Sequence, residues 1–212
     1  MALSLESLCD ESLFAYHLTE RVNVSRIQRT GILESTERLY LAAGADVQEL
    51  RQPRRGPKTL VIGGETVHLR DQDPLDLERL DVSPWTDPGE WCAHVNRHVF
   101  FWPGTRDRPI APGCSHFNRY RASDVSVFVI PMAELVRLNA HRLKVCSVNS
   151  GQTGARKTRV PRGPDTYVAP GLFGGSRSDV IEVVFLDHAE LPASRKLVSC
   201  ERILERCPRR PA

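Results

Sequence analysis

The sequence predicts an α+β fold in one domain that spans residues 1–212. The expected elements do not alternate regularly between strand and helix, because short helices and a hairpin come first and three strong strands follow. The length lies near the upper end of the roughly 100 to 200 residues that one hydrophobic core serves. A composition of 41% hydrophobic and 26% charged residues is that of a globular protein with a packed core.

A strand that carries His17 and a helix behind it are the first elements expected. The apolar stretch Phe14–Leu18 predicts the strand. The helix opens at Asn23 and stops at Gly31, because glycine readily adopts the positive φ that commonly follows a helix.

A hairpin is the next clear signal. Residues 39–44 continue helically, and residues 51–57 predict an exposed loop because prolines and a glycine interrupt a basic stretch. The two β-prone runs 59–62 and 66–69 flank Gly63-Gly64, which predicts a tight turn between two strands.

The second half of the chain contains the strongest strand signals. Strands are predicted at 99–102, 125–130, 143–148 and 180–186, and helices at 90–95 and 132–139. Asp87 is the expected N-cap of the first of these helices, with Pro88 at its first position. Residues 149–177 hold six glycines and three prolines and predict a long irregular loop without a core element, a feature that usually serves function.

Composition excludes several classes of protein. No apolar run approaches the roughly 18 residues of a membrane helix, and the acidic start of the chain is unlike a signal peptide, so we expect a soluble, cytoplasmic protein without a membrane partner. Six scattered cysteines predict reduced thiols, and without a CxxC pair they predict no metal site.

The charge pattern leaves two interpretations open. The net charge is only +3, but arginines are concentrated in residues 51–58, 156–162 and 202–210. Such clusters either bind phosphate groups or form a solvated surface. Neither GxGxxG nor GxxxxGK[ST] occurs, so a nucleotide would be held by side chains and strand edges.

Short motifs follow one another in a recognisable order between residues 14 and 186. They are Tyr16-His17-Leu18-Thr19, Asn23, Gly31-Ile32-Leu33, Arg70-Asp71-Gln72-Asp73-Pro74-Leu75, the block Trp91 to Trp102, and Ile181-Glu182-Val183-Val184. In this order and spacing they resemble the DarT-like ADP-ribosyltransferases, and the overall pattern is similar to a related bacterial family of unknown function.

This resemblance implies an ADP-ribosyltransferase-like fold with a split antiparallel or mixed β-core flanked by short helices, and NAD as the substrate. It implies that His17 holds the adenosine ribose, that Glu182 is the catalytic residue, and that residues 150–177 form the loop that recognises the acceptor. The other residues implied to hold NAD are Leu18, through its backbone, Thr19, Asn23, Arg70 on the pyrophosphate, and Phe101 and Trp102 against a ring.

A glutamate suits this chemistry. Cleavage of the nicotinamide glycosidic bond passes through an oxocarbenium-like state, and a fixed carboxylate stabilises the positive charge that develops on the ribose. The alternative is that Glu182 faces solvent on an edge strand, but its apolar neighbours indicate a buried strand. Likewise His17 could be a hydrogen-bonded core histidine, and Arg70 could pair with Asp71 or Asp73.

Two departures from the wider superfamily leave the acceptor open. Leu18 follows the histidine where many relatives have glycine, and Val180 stands where several transferases have Gln or Glu. A nucleic-acid base is one candidate acceptor, because Arg156, Lys157, Arg159 and Arg162 of the predicted loop would attract phosphates, although they would equally attract an acidic protein face. NAD hydrolysis, an RNA-phosphate transferase, and a catalytically silent module that binds nucleic acid or protein are the alternatives.

One geometric prediction separates these readings. His17 and Glu182, 165 positions apart, are expected on strands of one β-core and at one cleft, with Phe101 or Trp102 as a wall. Side chains on opposite faces of a sheet, or a His17 buried in a core without a pocket beside it, would contradict both the site and the enzyme interpretation.

Overall fold

The computed structural model describes residues 3–73, 75–152 and 161–208. The strands are β1 (Phe14–Glu20), β2 (Ile32–Glu34), β3 (Lys58–Ile62), β4 (Glu65–Leu69), β5 (His98–Gly104), β6 (Val125–Pro131), β7 (Leu143–Cys146), β8 (Glu182–Leu186), β9 (His188–Glu190) and β10 (Lys196–Ser199). The helices are α1 (Leu5–Leu8), α2 (Val24–Thr30), α3 (Thr36–Ala42), α4 (Pro88–Asn96), α5 (Ala111–Arg119), α6 (Met132–Asn139) and α7 (Cys200–Leu204).

The predicted α+β class is confirmed, and its centre is a six-stranded sheet in the order β10-β6-β1-β5-β8-β7. Every neighbouring pair in this sheet is antiparallel. Two small ribbons, β2-β9 and β3-β4, complete the strands among the described residues. The β3-β4 hairpin turns at Gly63 and Gly64, both with positive φ, as the sequence predicts.

Helices cover both faces of the sheet. On one face α6 packs on a cluster that includes Phe101, Phe128 and Phe185. On the other face the cover is divided: α5 and α7 lie over the β6-β1 half, where Tyr16 and Phe117 are buried. Over the β8-β7 half, α4 contributes Trp91 to a third cluster. On this face a space is left between α5 and α7, over one half of the sheet, and α4, over the other half.

Local sequence explains the helix ends that were predicted. Gly31 follows α2 with φ of 68°, and the Asp87 carboxylate accepts from the Gly89 N–H at the start of α4. Strand β8 begins at Glu182, two residues later than predicted, and β7 ends at Cys146.

The loop predicted at 149–177 is irregular in its described parts but contributes to the core, which corrects the expectation that no core element lies there. Three short 3₁₀ turns occur within or overlap it, at Pro164–Thr166, Pro170–Leu172 and Arg177–Asp179. Tyr167 and Phe173 are buried between them. A backbone bridge between Val145 and Val168 ties this stretch to the sheet edge, so large apolar side chains compensate for the cost of ordering a glycine-rich segment.

The prediction that the thiols are reduced is wrong for one pair. Cys114 of α5 and Cys207 after α7 form a disulfide across 93 residues. Cysteine spacing alone could not show this, because the two residues meet only when α7 packs on α5. Cys9, Cys92, Cys146 and Cys200 are free.

Loss of this disulfide is expected to lower the free energy of unfolding by about 2–4 kcal/mol, since the bond restricts a long loop of the unfolded chain. Urea unfolding of Cys207→Ser under oxidising conditions measures the loss, with Cys9→Ser, which removes a free thiol, as the matched control. Equal unfolding midpoints for Cys207→Ser and the unmodified chain, or six titratable thiols in the native protein, would show that the bond does not form.

No helix within the described ranges has the length and apolar character needed to cross a membrane.

Candidate functional site

A large cavity of about 1080 Å³ lies in the space between the helical covers. Ligand pockets typically measure about 300–1,000 Å³, so this one is large enough for a dinucleotide. Its walls come from β1, β4, β5, α5, the segment Asn149–Gln152 that follows β7, and Glu182 at the start of β8.

A local separation of strands opens the cavity. β1 pairs with β6 along its whole length, but with β5 only through Phe14–Tyr16. From His17 onward β1 leaves β5, and the His17 ring spans the gap by donating from Nδ1 to the carbonyl oxygen of Phe100 at 2.8 Å. The sheet therefore has a split at the residue where the sequence predicts a ligand contact.

His17 and Glu182 both line this cavity, and β1 and β8 belong to the same sheet, as predicted. They leave the sheet from opposite faces, however, which is the arrangement that the geometric prediction was to exclude, so that part of the prediction is wrong. His17 is in register with Phe128, whose side chain lies on the α6 side, whereas Glu182 alternates with Val183 and is in register with Cys146 on the other side. The split between β1 and β5 is what gives both side chains access to one space.

The His17 imidazole is neutral at physiological pH. Withdrawal from water lowers its pKa to about 4, and the positive charge of Arg70 acts in the same direction. Because Nδ1 donates to the Phe100 carbonyl, the neutral ring carries its proton there and Nε2 is a hydrogen-bond acceptor. The ring also contacts Phe101, with centroids 5.3 Å apart. His17 is thus suited to accept a hydrogen bond from a ligand hydroxyl.

Glu182 is a buried carboxyl group with only 3% of its surface exposed, which excludes the solvent-facing alternative. The Ser150 N–H donates to Oε1 at 3.2 Å and to Oε2 at 3.3 Å, and the Ser150 hydroxyl also donates to Oε2. The Cys146 thiol lies 3.2 Å from the Val148 carbonyl oxygen and 3.5 Å from Oε2, so these two acceptors share its one proton. Burial raises the pKa of Glu182 to about 7, although these hydrogen bonds and the charge of Arg162 favour the ionised form. A group that titrates near neutral pH in a cavity is suited to acid-base or electrostatic catalysis.

Arg70 brings a positive charge to the same cavity. Its guanidinium donates to the Leu18 carbonyl at 2.6 Å and lies 5.2 Å from the ring centroid of Tyr120. Burial lowers its pKa, while the nearby acids Glu20 and Asp71 favour the charged form. One nitrogen of the Arg70 guanidinium therefore binds β1, and the Leu18 carbonyl oxygen already accepts a hydrogen bond from it.

The remaining predicted residues divide between the cavity and the scaffold. Thr19 and Trp102 line the cavity, so Trp102 forms the aromatic wall. Phe101 is fully buried in the core, where it also packs against Phe185. Asn23 lines the cavity, but its amide donates to the His68 carbonyl at 2.8 Å and accepts from the His68 N–H at 2.9 Å, which makes it a clamp between β4 and α2.

The acidic and amide residues after Arg70 also hold the scaffold. Gln72 donates to the Asn96 side-chain oxygen at 3.1 Å, and Arg54 donates to the same oxygen at 2.9 Å. Asp71 accepts from the Tyr120 hydroxyl at 3.0 Å. Two of the motifs that carry the resemblance are thus joined by one hydrogen-bond network, which fixes the β4 end of the cavity to α4.

Among the cavity residues that the sequence did not single out are Ser150, within the predicted loop, and His116 and Tyr120. The His116 ring lies 5.7 Å from Trp102 and 5.2 Å from Tyr120, and burial lowers its pKa to about 3. The signal available for His116 was a polar residue within a short amphipathic run.

The Arg-rich part of the predicted recognition loop is only partly described. Arg156, Lys157 and Arg159 lie outside the described residues. Arg162 is buried and donates to the Asn149 carbonyl at 3.4 Å, so it faces the interior and acts electrostatically on Glu182. In the described ranges no group of three or more His, Cys, Asp or Glu side chains is arranged to hold a metal ion.

Comparison with known proteins gives one match. Residues 14–190 fit the model of a family described as a family of unknown function, DUF7002. No curated protein and no solved structure matches the chain significantly. The matched range contains β1, the split beside β5, most of the cavity lining and Glu182. Because it covers most of the sequence, the chain belongs to the DUF7002 family.

Proposed function

We propose that this protein is an NAD-dependent ADP-ribosyltransferase with a DarT-like fold, which transfers ADP-ribose to a macromolecular acceptor and releases nicotinamide. The observation that carries the proposal is a buried carboxyl group, Glu182, at a dinucleotide-sized cavity that opens where β1 leaves β5. Of the residues that the resemblance implies for NAD, six line the same cavity: His17, Leu18, Thr19, Asn23, Arg70 and Trp102.

The chemistry assigned to Glu182 follows from its environment. As the bond between the ribose anomeric carbon and the nicotinamide nitrogen breaks, nicotinamide leaves with the bonding electrons and the ribose becomes cationic. The ionised carboxylate stabilises that cation, and its burial increases the effect because little water screens it. When the acceptor's nucleophilic atom bonds to the anomeric carbon it loses a proton, and a carboxylate with a pKa of about 7 is a suitable base.

The cavity offers complementary contacts for the rest of NAD. Neutral His17 accepts a hydrogen bond from a ribose hydroxyl, and the part of the Arg70 fork not bound to Leu18 pairs with the pyrophosphate. Trp102 and His116 provide ring surfaces, whereas Asn23 contributes by holding β4 in place. A nucleic-acid base remains the proposed acceptor, and Asn149–Gln152 line the cavity on the side from which it would approach Glu182.

Two measurements test this function. Calorimetry with NAD determines whether the cavity binds the dinucleotide, and mass spectrometry of the reaction with single-stranded DNA or RNA detects free nicotinamide and a mass gain of one ADP-ribose on the acceptor. Binding without nicotinamide release would favour the catalytically silent module. Absence of NAD binding at millimolar concentration would refute the proposal.

Replacement of His17 by alanine is expected to weaken NAD binding by about tenfold while kcat changes less, because the lost hydrogen bond is made equally in the ground and transition states. Calorimetry and steady-state kinetics measure the two effects separately. His141→Ala removes an exposed histidine and is the control. A lower kcat with unaltered NAD affinity would contradict the binding role.

A further inference from the structure

The two oxygens of the Glu182 carboxyl group have different surroundings. Oε2 accepts from the Ser150 hydroxyl and from the Ser150 N–H at 3.3 Å, and it shares the Cys146 thiol proton, at 3.5 Å, with the nearer Val148 carbonyl oxygen. Among the described residues, Oε1 has only the shared Ser150 N–H, at 3.2 Å. Within this part of the chain Oε2 therefore has more donors than Oε1, and Oε1 keeps the capacity to accept a hydrogen bond from a new partner.

Ser150 is itself held in place by its backbone. It is 2% exposed and lies four residues after β7, in a turn where the Gln152 N–H donates to the Asn149 carbonyl at 3.3 Å. Arg162 donates to the same carbonyl at 3.4 Å. Glu182 is equally constrained, because it opens β8 in register with Cys146 of β7. Both partners thus reach their contact from ordered backbone.

We propose that Ser150 is a positioning residue for the reaction: it binds Oε2, directs Oε1 of Glu182 to the substrate, and keeps the carboxyl group ionisable in its buried place. This inference rests on the proposed function, because it assigns Oε1 as the oxygen that faces the cationic ribose and takes up the acceptor's proton. Cys146 supports Ser150 as a weak donor, since burial raises the pKa of its thiol and keeps it protonated.

A purely structural role for Ser150 predicts something different. If the hydroxyl only filled space, its removal would change the free energy of unfolding and leave the pKa of Glu182 unchanged. A charge-assisted hydrogen bond instead stabilises the carboxylate relative to the acid, so its loss raises the pKa of Glu182. The protonation state of Glu182 therefore distinguishes the two roles.

Infrared difference spectroscopy of the ligand-free protein tests the contact without any assumption about NAD. The protonated carboxyl band that is lost in Glu182→Gln identifies Glu182, and its pH dependence gives the pKa. We expect Ser150→Ala to raise that pKa by about one pH unit or more. Ser126→Ala removes another buried serine hydroxyl, from β6, and is the matched control with an unchanged titration. An unchanged pKa in Ser150→Ala would overturn the inference.

The pH profile of nicotinamide release tests the consequence for turnover. Ser150→Ala is expected to move the acidic limb of kcat/KM upward by the same amount as the infrared pKa, and Ser150→Thr, which keeps the hydroxyl, to restore it. If the infrared pKa moves but no chain releases nicotinamide, the hydroxyl contact stands while the proposed function and the catalytic part of the inference fail. If turnover occurs and the profile does not move with Ser150→Ala, only the positioning role fails.

Discussion

Glu182→Gln is expected to lower nicotinamide release by at least about a hundredfold while NAD still binds. Glutamine has nearly the shape of the carboxyl group and keeps an oxygen for the Ser150 donors, but it carries no charge. Loss of one preorganised electrostatic stabiliser commonly costs about 10²–10³ in kcat. Single-turnover kinetics at saturating NAD measure the chemical step directly.

The control for this variant is Glu190→Gln, which removes a carboxylate from the exposed end of β9. It changes net charge by the same amount as Glu182→Gln, and so accounts for any general effect of charge on NAD binding. Unchanged nicotinamide release in Glu182→Gln would remove the residue from the mechanism, whatever its buried position. A loss of NAD affinity with normal turnover at saturation would make it a binding residue instead.

The elements that sequence patterns predicted are those with strong local signals. β6 consists almost wholly of apolar residues because both of its faces are covered, and α6 runs over the residues that its periodicity indicates. The hairpin of β3 and β4 follows from Gly63-Gly64, whose positive φ glycine adopts without strain. In these places one short stretch of sequence contains the whole reason for the structure.

Helix α5 shows why other elements were not predicted. It begins Ala111-Pro112-Gly113, a run that usually indicates a turn. Proline is tolerated in the first helical turn because the N–H that it lacks would have no partner there. Gly113 is required by tertiary packing, since a Cβ at this position would lie 2.8 Å from Pro109 and 2.9 Å from Trp102. The sequence shows the glycine but not the neighbours that demand it.

The candidate site was predictable only where the resemblance named residues. His17 and Glu182 were expected at one cleft, but the contact between Ser150 and Glu182 depends on the antiparallel register of β7 and β8, which places Cys146 opposite Glu182. The small β2-β9 ribbon depends in the same way on pairing between residues far apart in the sequence. Ile32 pairs with Glu190, 158 residues later, and Glu34 pairs with His188, 154 residues later. Such contacts follow from the fold, and no local pattern encodes them.

Stability is expected to fall steeply as pH drops from 6.5 towards 4. Burial lowers the pKa of four histidines: those of His17, His94 and His98 to about 4 and that of His116 to about 3. In the unfolded chain each titrates near the ordinary value of about 6.5, so the unfolded state takes up these protons first as the solution becomes acidic. The contribution of these four neutral histidines to the free energy of unfolding is complete above pH 6.5. It decreases as the pH falls from 6.5 towards their folded pKa values.

Glu182 acts in the opposite direction over part of this window. The pKa of Glu182 in the folded protein, about 7, lies above the ordinary value of 4.5. Its contribution to the free energy of unfolding is therefore complete below pH 4.5 and is lost as the pH rises through 7. One glutamate offsets only part of the effect of four histidines. A net loss of several kcal/mol by pH 4.5 is comparable with the total stability of about 5–15 kcal/mol that a domain has.

Urea unfolding at pH 7.5, 6.5, 5.5 and 4.5 measures this dependence, and one histidine variant isolates its source. His116→Gln puts a neutral side chain at the cavity, so unfolding takes up one proton fewer and the fall in stability between pH 6.5 and 4.5 becomes shallower, even if the variant is less stable at every pH. His141→Gln alters an exposed histidine and is expected to leave the slope unchanged. A urea midpoint that stays constant down to pH 4.5 would mean that these imidazoles reach water in the folded state.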